Sequence, residues 1–416
     1  MKRIFASIIS TYLLCQIASA QAMKLEDILD SIQQAYPSLK VYDATIQSLE
    51  AAAKGARNWM PPEISTGLWM VPYNTNLWKA NGTGTTGMGQ YMISAQQMFP
   101  NKKYNDANEA YMEGMSSVEK ENKQATLNEL FAAVKKNYYE WIMIEKKLAV
   151  LSQDEKLLQF MITNAETRYK NGLGKISAYY KAKASLGDIE NMRVELENDV
   201  IQRRIALNTL MNREKLTAFS IDTNYNLKEY STLVFDSSFF YTNRSDLKAV
   251  DKNVQLIYLQ QNIEQASTKP QFGVSYSHMF GFGGSPAQYT LMGMMKVPIN
   301  WSTRMNKANI ESLKWKAESL KDQKASMSNE YSGMAYQIQQ NITTKKKQVQ
   351  LFELNIIPAL RKNYESTLLA YEQNTEELFE LFDSWKTLND TQLDYLDQQQ
   401  QLLMMQVDLE KLLEIK

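Results

Sequence analysis

Between residues 101 and 169 the hydrophobic positions recur every seven residues. Leu127, Val134, Trp141, Leu148, Ile162 and Tyr169 form one seam, broken only by Glu155. Leu130, Ile144, Leu151, Leu158 and Ala165 form a second, broken by Asn137. Such a pattern predicts one helix over about 101–171, packed as a coiled coil. The stretch has no proline, and its one glycine, Gly114, lies near the start. At 1.5 Å per residue the helix spans roughly 100 Å, more than a single globular core can cover. Partner helices of similar length must come from the rest of the chain or from other copies.

The remaining pattern supplies them. Helical spacing from Leu25 to Trp59, interrupted at Pro37, stops at Pro61-Pro62. Strands are predicted over about 63–71 and 90–99, separated by a loop rich in Gly, Asn and Thr. After the long helix, the glycines of Asn171-Gly172-Leu173-Gly174 mark a C-cap and turn, and a return helix follows over about 176–211. A mixed connector occupies 212–243. The order then restarts: a helix to Ser267, a stop at Lys269-Pro270, strands over about 271–282 and 289–299, a second long helix over about 303–371, a turn at Gln373-Asn374-Thr375-Glu376 and a closing helix over about 376–415. Pro270 follows Pro62 by 208 residues, and Leu247 follows Leu39 by the same interval. The chain therefore reads as an internal two-fold repeat, 21–211 and 244–416, around the connector.

The second pair of strands is the most informative. Phe272, Val274, Tyr276, Phe280 and Phe282 alternate with Gly273, Ser275, Ser277 and Gly281, and His278 falls on the apolar side. Tyr289, Leu291, Met295, Val297 and Ile299 share one face of the next strand. Roughly nine to eleven residues is the length of a membrane-spanning strand. Apolar-out, small-polar-in alternation suits a lipid-facing barrel with a wet interior. Phe272, Val274, Tyr276, Leu291 and Val297 are the expected lipid-facing positions; Trp69, Tyr73, Trp78 and Trp301 suit interfacial girdles. Two hairpins packed on a soluble core is the competing reading. Four strands cannot close a barrel with a lumen, so the barrel reading requires oligomerisation.

Composition narrows the chemistry. With 46 basic and 46 acidic residues the net charge is zero, which gives no electrostatic reason to expect nucleic acid. Lys2-Arg3, an apolar run and Ala18-Ser19-Ala20 read as a signal peptide over 1–20, cleaved before Gln21. Cys15, the only cysteine, would be the acylated residue in a lipoprotein, but the bulky Leu14 before it argues against that. One histidine and no mature cysteine exclude His/Cys zinc sites. Gly82-Thr83-Gly84-Thr85-Thr86-Gly87 matches a dinucleotide fingerprint in letters only, because a strand rather than a helix follows it. No constellation points to a catalytic residue, cofactor or resident metal. Methionine is abundant, at 22 residues, with Met292, Met294 and Met295 on one strand. Thioethers can hold Cu(I), but methionine is also a general filler of lipid-facing and packing positions.

Several pieces, in order, resemble the TolC family of outer-membrane efflux channels over nearly the whole mature chain. They are Leu25-Glu-Asp-Ile-Leu, Tyr36-Pro37-Ser38-Leu39, Ala56-Arg57-Asn58 before the double proline, and Arg168-Tyr169-Lys170-Asn171-Gly172-Leu173. In the second half they are Arg244-Ser245-Asp246-Leu247, Val297-Pro298-Ile299-Asn300-Trp301, Ile357-Pro358 and the Leu-rich last helix. The chain departs from the family at Ser302-Thr303, where a glycine usually stands. The resemblance implies a mainly α protein with a membrane β-barrel part. Three copies would each give four strands to a twelve-stranded barrel and their helices to a coiled-coil tunnel, set in outer-membrane lipid of a Gram-negative bacterium and extending into the periplasm. It also implies a passive duct of a tripartite pump for drugs or metal ions, served by a periplasmic adaptor (membrane fusion) protein and an inner-membrane transporter. The adaptor would dock on the turns Asn171, Gly172, Leu173, Gly174 and Gln373, Asn374, Thr375, Glu376, which otherwise read as plain capped hairpins. Gln392, Gln399 and Gln406, seven residues apart, would either line the tunnel or form a polar seam between helices. Type I protein secretion and an exported coiled-coil scaffold are the alternatives.

Overall fold

A computed structural model describes residues 22–80, 84, 86–172, 174–230, 233–373 and 375–415. The signal sequence with Cys15, and Gly82, Thr83 and Thr85 of the glycine-rich loop, lie outside the described residues, as do Leu173 and Asn374 of the two turns. The elements are α1 (Leu25–Ala35), α2 (Pro37–Lys54), β1 (Glu63–Trp69), β2 (Gln90–Phe99), α3 (Lys102–Lys170), α4 (Ile176–Leu210), α5 (Ser237–Asn243), α6 (Ser245–Ser267), β3 (Gln271–Gly281), β4 (Gln288–Lys296), α7 (Arg304–Leu351), α8 (Ile357–Glu372) and α9 (Leu378–Leu413). A short 3₁₀ turn, Thr75–Trp78, lies in the loop between β1 and β2. Among the described residues no helix is long and apolar enough to cross a membrane.

The chain divides into two units. One comprises Tyr42–Asn122 and Asp246–Met327 and contains all four strands. They form one antiparallel sheet in the order β1-β2-β3-β4, so the β2–β3 pairing joins the two sequence repeats. Below the sheet, α6 and α7 pack through Val254, Ile257, Leu313 and Ala317. Asn101 starts α3 by accepting a hydrogen bond from the Lys103 amide at 2.8 Å, as an N-cap should.

The other unit comprises the described residues up to Val41, Lys123–Ser245 and the chain from Ser328 onward. Here most of the heptad seam residues of α3 are buried, while Leu148 and Ile162 are half-buried and Tyr169, at the end of the helix, is exposed. Val134, Trp141, Ile142 and Met143 pack with Ile28 and Ile32 of α1, Leu207 of α4 and Leu403 of α9. Further along, Leu151, Leu158 and Met161 pack with Ile189, Leu381 and Trp385. Asp236 caps α5 by accepting from the Phe239 amide at 2.9 Å.

Two expectations change. The second long helix is not continuous: a π turn, Phe352–Ile356, separates α7 from α8, and the Ile357 amide reaches back five residues to the Phe352 carbonyl. Pro358 has no N–H to donate to the residue-354 carbonyl, and its ring crowds that position, so the ladder widens by one residue just before it. Strand β4 ends at Lys296, leaving Val297 one residue beyond it. Pro298 has no N–H to continue the ladder, so the pairing stops before it.

Candidate functional site

Register sorts the sheet into two faces. Ser65, Ser94, Ser277 and Thr290 lie in one cross-strand row, and Ser65 and Ser94 share a 2.6 Å hydroxyl hydrogen bond. The neighbouring row holds Glu63, Gln96, Ser275 and Met292, with the Gln96 side-chain amide donating to the Glu63 carboxylate. Ser275 and Ser277 are buried, whereas Ile64, Phe272, Val274, Tyr276 and Leu291, on the opposite face, are exposed. Leu291 is 69% exposed and opposes Tyr276 across the β3–β4 pair. His278 lies on this apolar face, its ring 4.4 Å from that of Phe280.

The aromatic residues divide. Trp301 is 80% exposed, as a girdle residue should be. Trp69 pairs with Gln90 and so shares the polar face. Trp78 stacks on Phe282 with ring centroids 5.5 Å apart and donates to the Pro72 carbonyl, which ties the loop down instead.

In the helical unit the two turns come together. Arg168 lies 4.5 Å over the Tyr371 ring and donates to the Tyr371 carbonyl at 3.3 Å. Lys175 and Glu377 pair at 3.4 Å, and Lys181 sits 3.7 Å over the Phe379 ring. Gly172 has φ +74, a left-handed turn position that glycine takes without strain. Thr375 closes the other turn by donating from its amide to the Ala370 carbonyl. Between them is a groove of about 860 Å³ bordered by Gly174, Lys175, Glu376 and Phe379. Gln373 caps α8, its amide donating to the Leu369 carbonyl at 3.0 Å.

The three glutamines of the stripe have different surroundings within one chain. Gln406 is buried and its side chain donates to the Lys228 carbonyl of the connector at 2.8 Å. Gln399 donates to the Tyr395 hydroxyl at 2.6 Å. Gln392 borders a cavity of about 570 Å³, beside Glu353 and Pro358 at the π turn. A seven-residue period places three residues on one stripe, but neighbours decide what each faces. A buried amide must find a partner, and Gln406 finds a backbone carbonyl.

Three buried ionisable groups had no sequence signal, because their partners lie far away in the chain. Lys135 of α3 pairs with Glu410 of α9, and both are only 5% exposed. Glu410 also accepts from the Tyr230 hydroxyl at 2.5 Å and lies 3.3 Å from Lys228. Burial alone would raise its carboxyl, but the hydrogen bonds from Lys135 and Tyr230 and the two lysine charges hold it below the usual range. Asp154, also on α3, accepts from the Trp385 indole at 2.8 Å while its other oxygen has no partner. Burial pushes this carboxyl up to about 6, with a smaller push from Asp390 and with the Trp385 hydrogen bond opposing.

The sequence matches the family model for outer membrane efflux proteins over residues 5–213. No curated protein matches it. The fold is similar to solved channel structures despite low identity. CusC aligns at TM-score 0.72 and 13% identity, covering 94% of this chain and 91% of that one. VceC of Vibrio cholerae aligns at 0.71 and 14%, covering 94% and 95%. The open-state MtrE channel of Neisseria gonorrhoeae aligns at 0.69 and 16%, covering 94% and 89%.

Proposed function

The chain belongs to the outer membrane efflux protein family, and from that premise we propose that it is the outer-membrane duct of a tripartite pump that exports small molecules, drugs or metal ions. It is a passive channel rather than an enzyme, seated in the outer membrane of a Gram-negative bacterium and extending into the periplasm. Channels of the family are trimers that work with an adaptor and an inner-membrane pump. In this proposal each subunit gives four strands to a twelve-stranded barrel. The observation that carries the reading is the two-faced sheet. Phe272, Val274, Tyr276 and Leu291 are exposed on one side, and serine, threonine and glutamine fill the other. A water-soluble sheet gains nothing by exposing four large apolar residues, whereas lipid rewards it and a hydrated lumen takes the polar side.

The adaptor docks, in this reading, on the paired turns around Gly172 and Thr375. The groove there offers Lys175 and Glu377 for polar contacts and Phe379, 54% exposed, for an apolar one. Purified trimer should give ion conductance in planar bilayers and resist extraction by carbonate. A protein that leaves membranes in carbonate and conducts no ions would contradict the duct. For docking, Leu173→Asp should abolish efflux and adaptor cross-linking in an intact trimer; wild-type behaviour of that variant would remove the turn from the docking surface.

A further inference from the structure

The polar face of the sheet carries more sulfur than a hydrated wall needs. Register places Met92, Met98, Met279, Met292 and Met294 on the face of the serines, and only Met295 on the apolar face. If methionine were general apolar filler, the distribution would be the reverse, because the outer face is where this sheet puts its Phe, Val and Leu. At the strand ends joined to α3 and α7, Met98, Gly273 and Met294 form one cross-strand row. Gly273 leaves room for both side chains: a Cβ there would collide with Met98 Sδ and stand 3.3 Å from Met294 Cε. The next row adds a third thioether, Met292, and the carboxylate of Glu63. Met92 and Met279 oppose each other about 20 Å further along β2.

Thioethers are neutral, soft ligands that select Cu(I)-like ions and give hard or borderline cations little. No cluster of His, Cys, Asp or Glu able to hold such harder ions occurs among the described residues. We propose that Met98 and Met294 over Gly273, with Met292 beside them, form a binding station for a soft monovalent cation, Cu(I) or Ag(I), passing through the barrel. The Glu63 carboxylate supplies the balancing charge, and neutral ligands keep the hold weak enough for release. The inference rests on the duct reading, since it takes this face as the wall of the passage.

The test uses the full-length trimer labelled with ¹³C-methyl methionine, in detergent and chloride-free nitrate buffer, titrated with silver nitrate. The Met98 and Met294 methyl resonances should shift and saturate while that of Met295 stays in place. Met98→Leu/Met294→Leu should weaken silver binding at least tenfold. Single Met→Leu variants assign the resonances, so the answer does not depend on any one variant assembling. Unshifted Met98 and Met294 signals, or an equal shift at Met295, would overturn the station. Conductance of the same wild-type trimer separates the two readings. Conductance without silver binding removes the station and leaves the duct, and absent conductance removes the duct itself.

Discussion

Asp154 offers a prediction whose sign and size both come from the structure. Its carboxyl is 7% exposed, one oxygen is unpartnered, and the group titrates near pH 6 rather than near the ordinary value of about 4. Because the folded-state value is raised, the stability of the neutral acid is fully present below about pH 4 and is lost as pH rises through about 6. The accumulated loss at pH 7.5 is at most ~3 kcal/mol, since each pH interval between the two values contributes about 1.4 kcal/mol. Asp154→Asn keeps an acceptor for the Trp385 indole and removes the charge. The variant should be up to ~3 kcal/mol more stable than wild type at pH 7.5 and nearly equal to it at pH 4. The assay is unfolding of the detergent-solubilised trimer across that range, read by Trp fluorescence. The wild type should also show a fluorescence inflection near pH 6, from the ring that donates to Asp154, and the variant should lack it. If the difference between the two proteins is independent of pH, or grows toward acid, the burial argument for Asp154 is wrong.

The buried Lys135–Glu410 pair gives a second test. Lys135→Met strands a buried carboxylate and should cost about 3 kcal/mol, softened by Tyr230 and Lys228. Lys135→Met combined with Glu410→Leu should recover much of that in thermal unfolding, and a double variant as unstable as the single one would refute the reasoning. Pro358→Ala restores a donor to the ladder, so amide exchange across Phe352–Ile356 should slow. Unchanged exchange would mean that packing against α9, not the proline, sets the π turn.

Much of the fold was legible because its signals are periodic. Most of the seven-residue seam positions of α3, and the alternation in β3, follow from which positions are buried. Where alternation and ladder chemistry disagree, the ladder decides: Val297 and Ile299 continue the apolar pattern, yet Pro298 ends the strand. Pro358 marked a weak point in the second long helix, but nothing in the polarity of Phe352–Ile356 distinguishes a π turn from an α one. The methionines of the serine face were hidden for another reason. Each strand's parity can be read alone, but matching Met98 to Gly273 and Gly273 to Met294 requires the cross-strand register. Asp154 with Trp385, and Lys135 with Glu410, depend on how α9 is set against α3, which no local pattern records.

The central claim is that the two faces of the sheet meet two different solvents. Leu291 and Thr290 are neighbours on β4 that point to opposite sides, so arginine at each position separates the faces without moving along the strand. Arginine toward lipid costs roughly 2–4 kcal/mol near mid-membrane, whereas arginine toward water costs little. The measurement is the yield of folded trimer in outer-membrane fractions, with the conductance of whatever assembles. Leu291→Arg should fail to accumulate as trimer, while Thr290→Arg should assemble and conduct cations less well. Equal yields of the two variants, or loss of Thr290→Arg alone, would contradict the assignment of lipid and lumen.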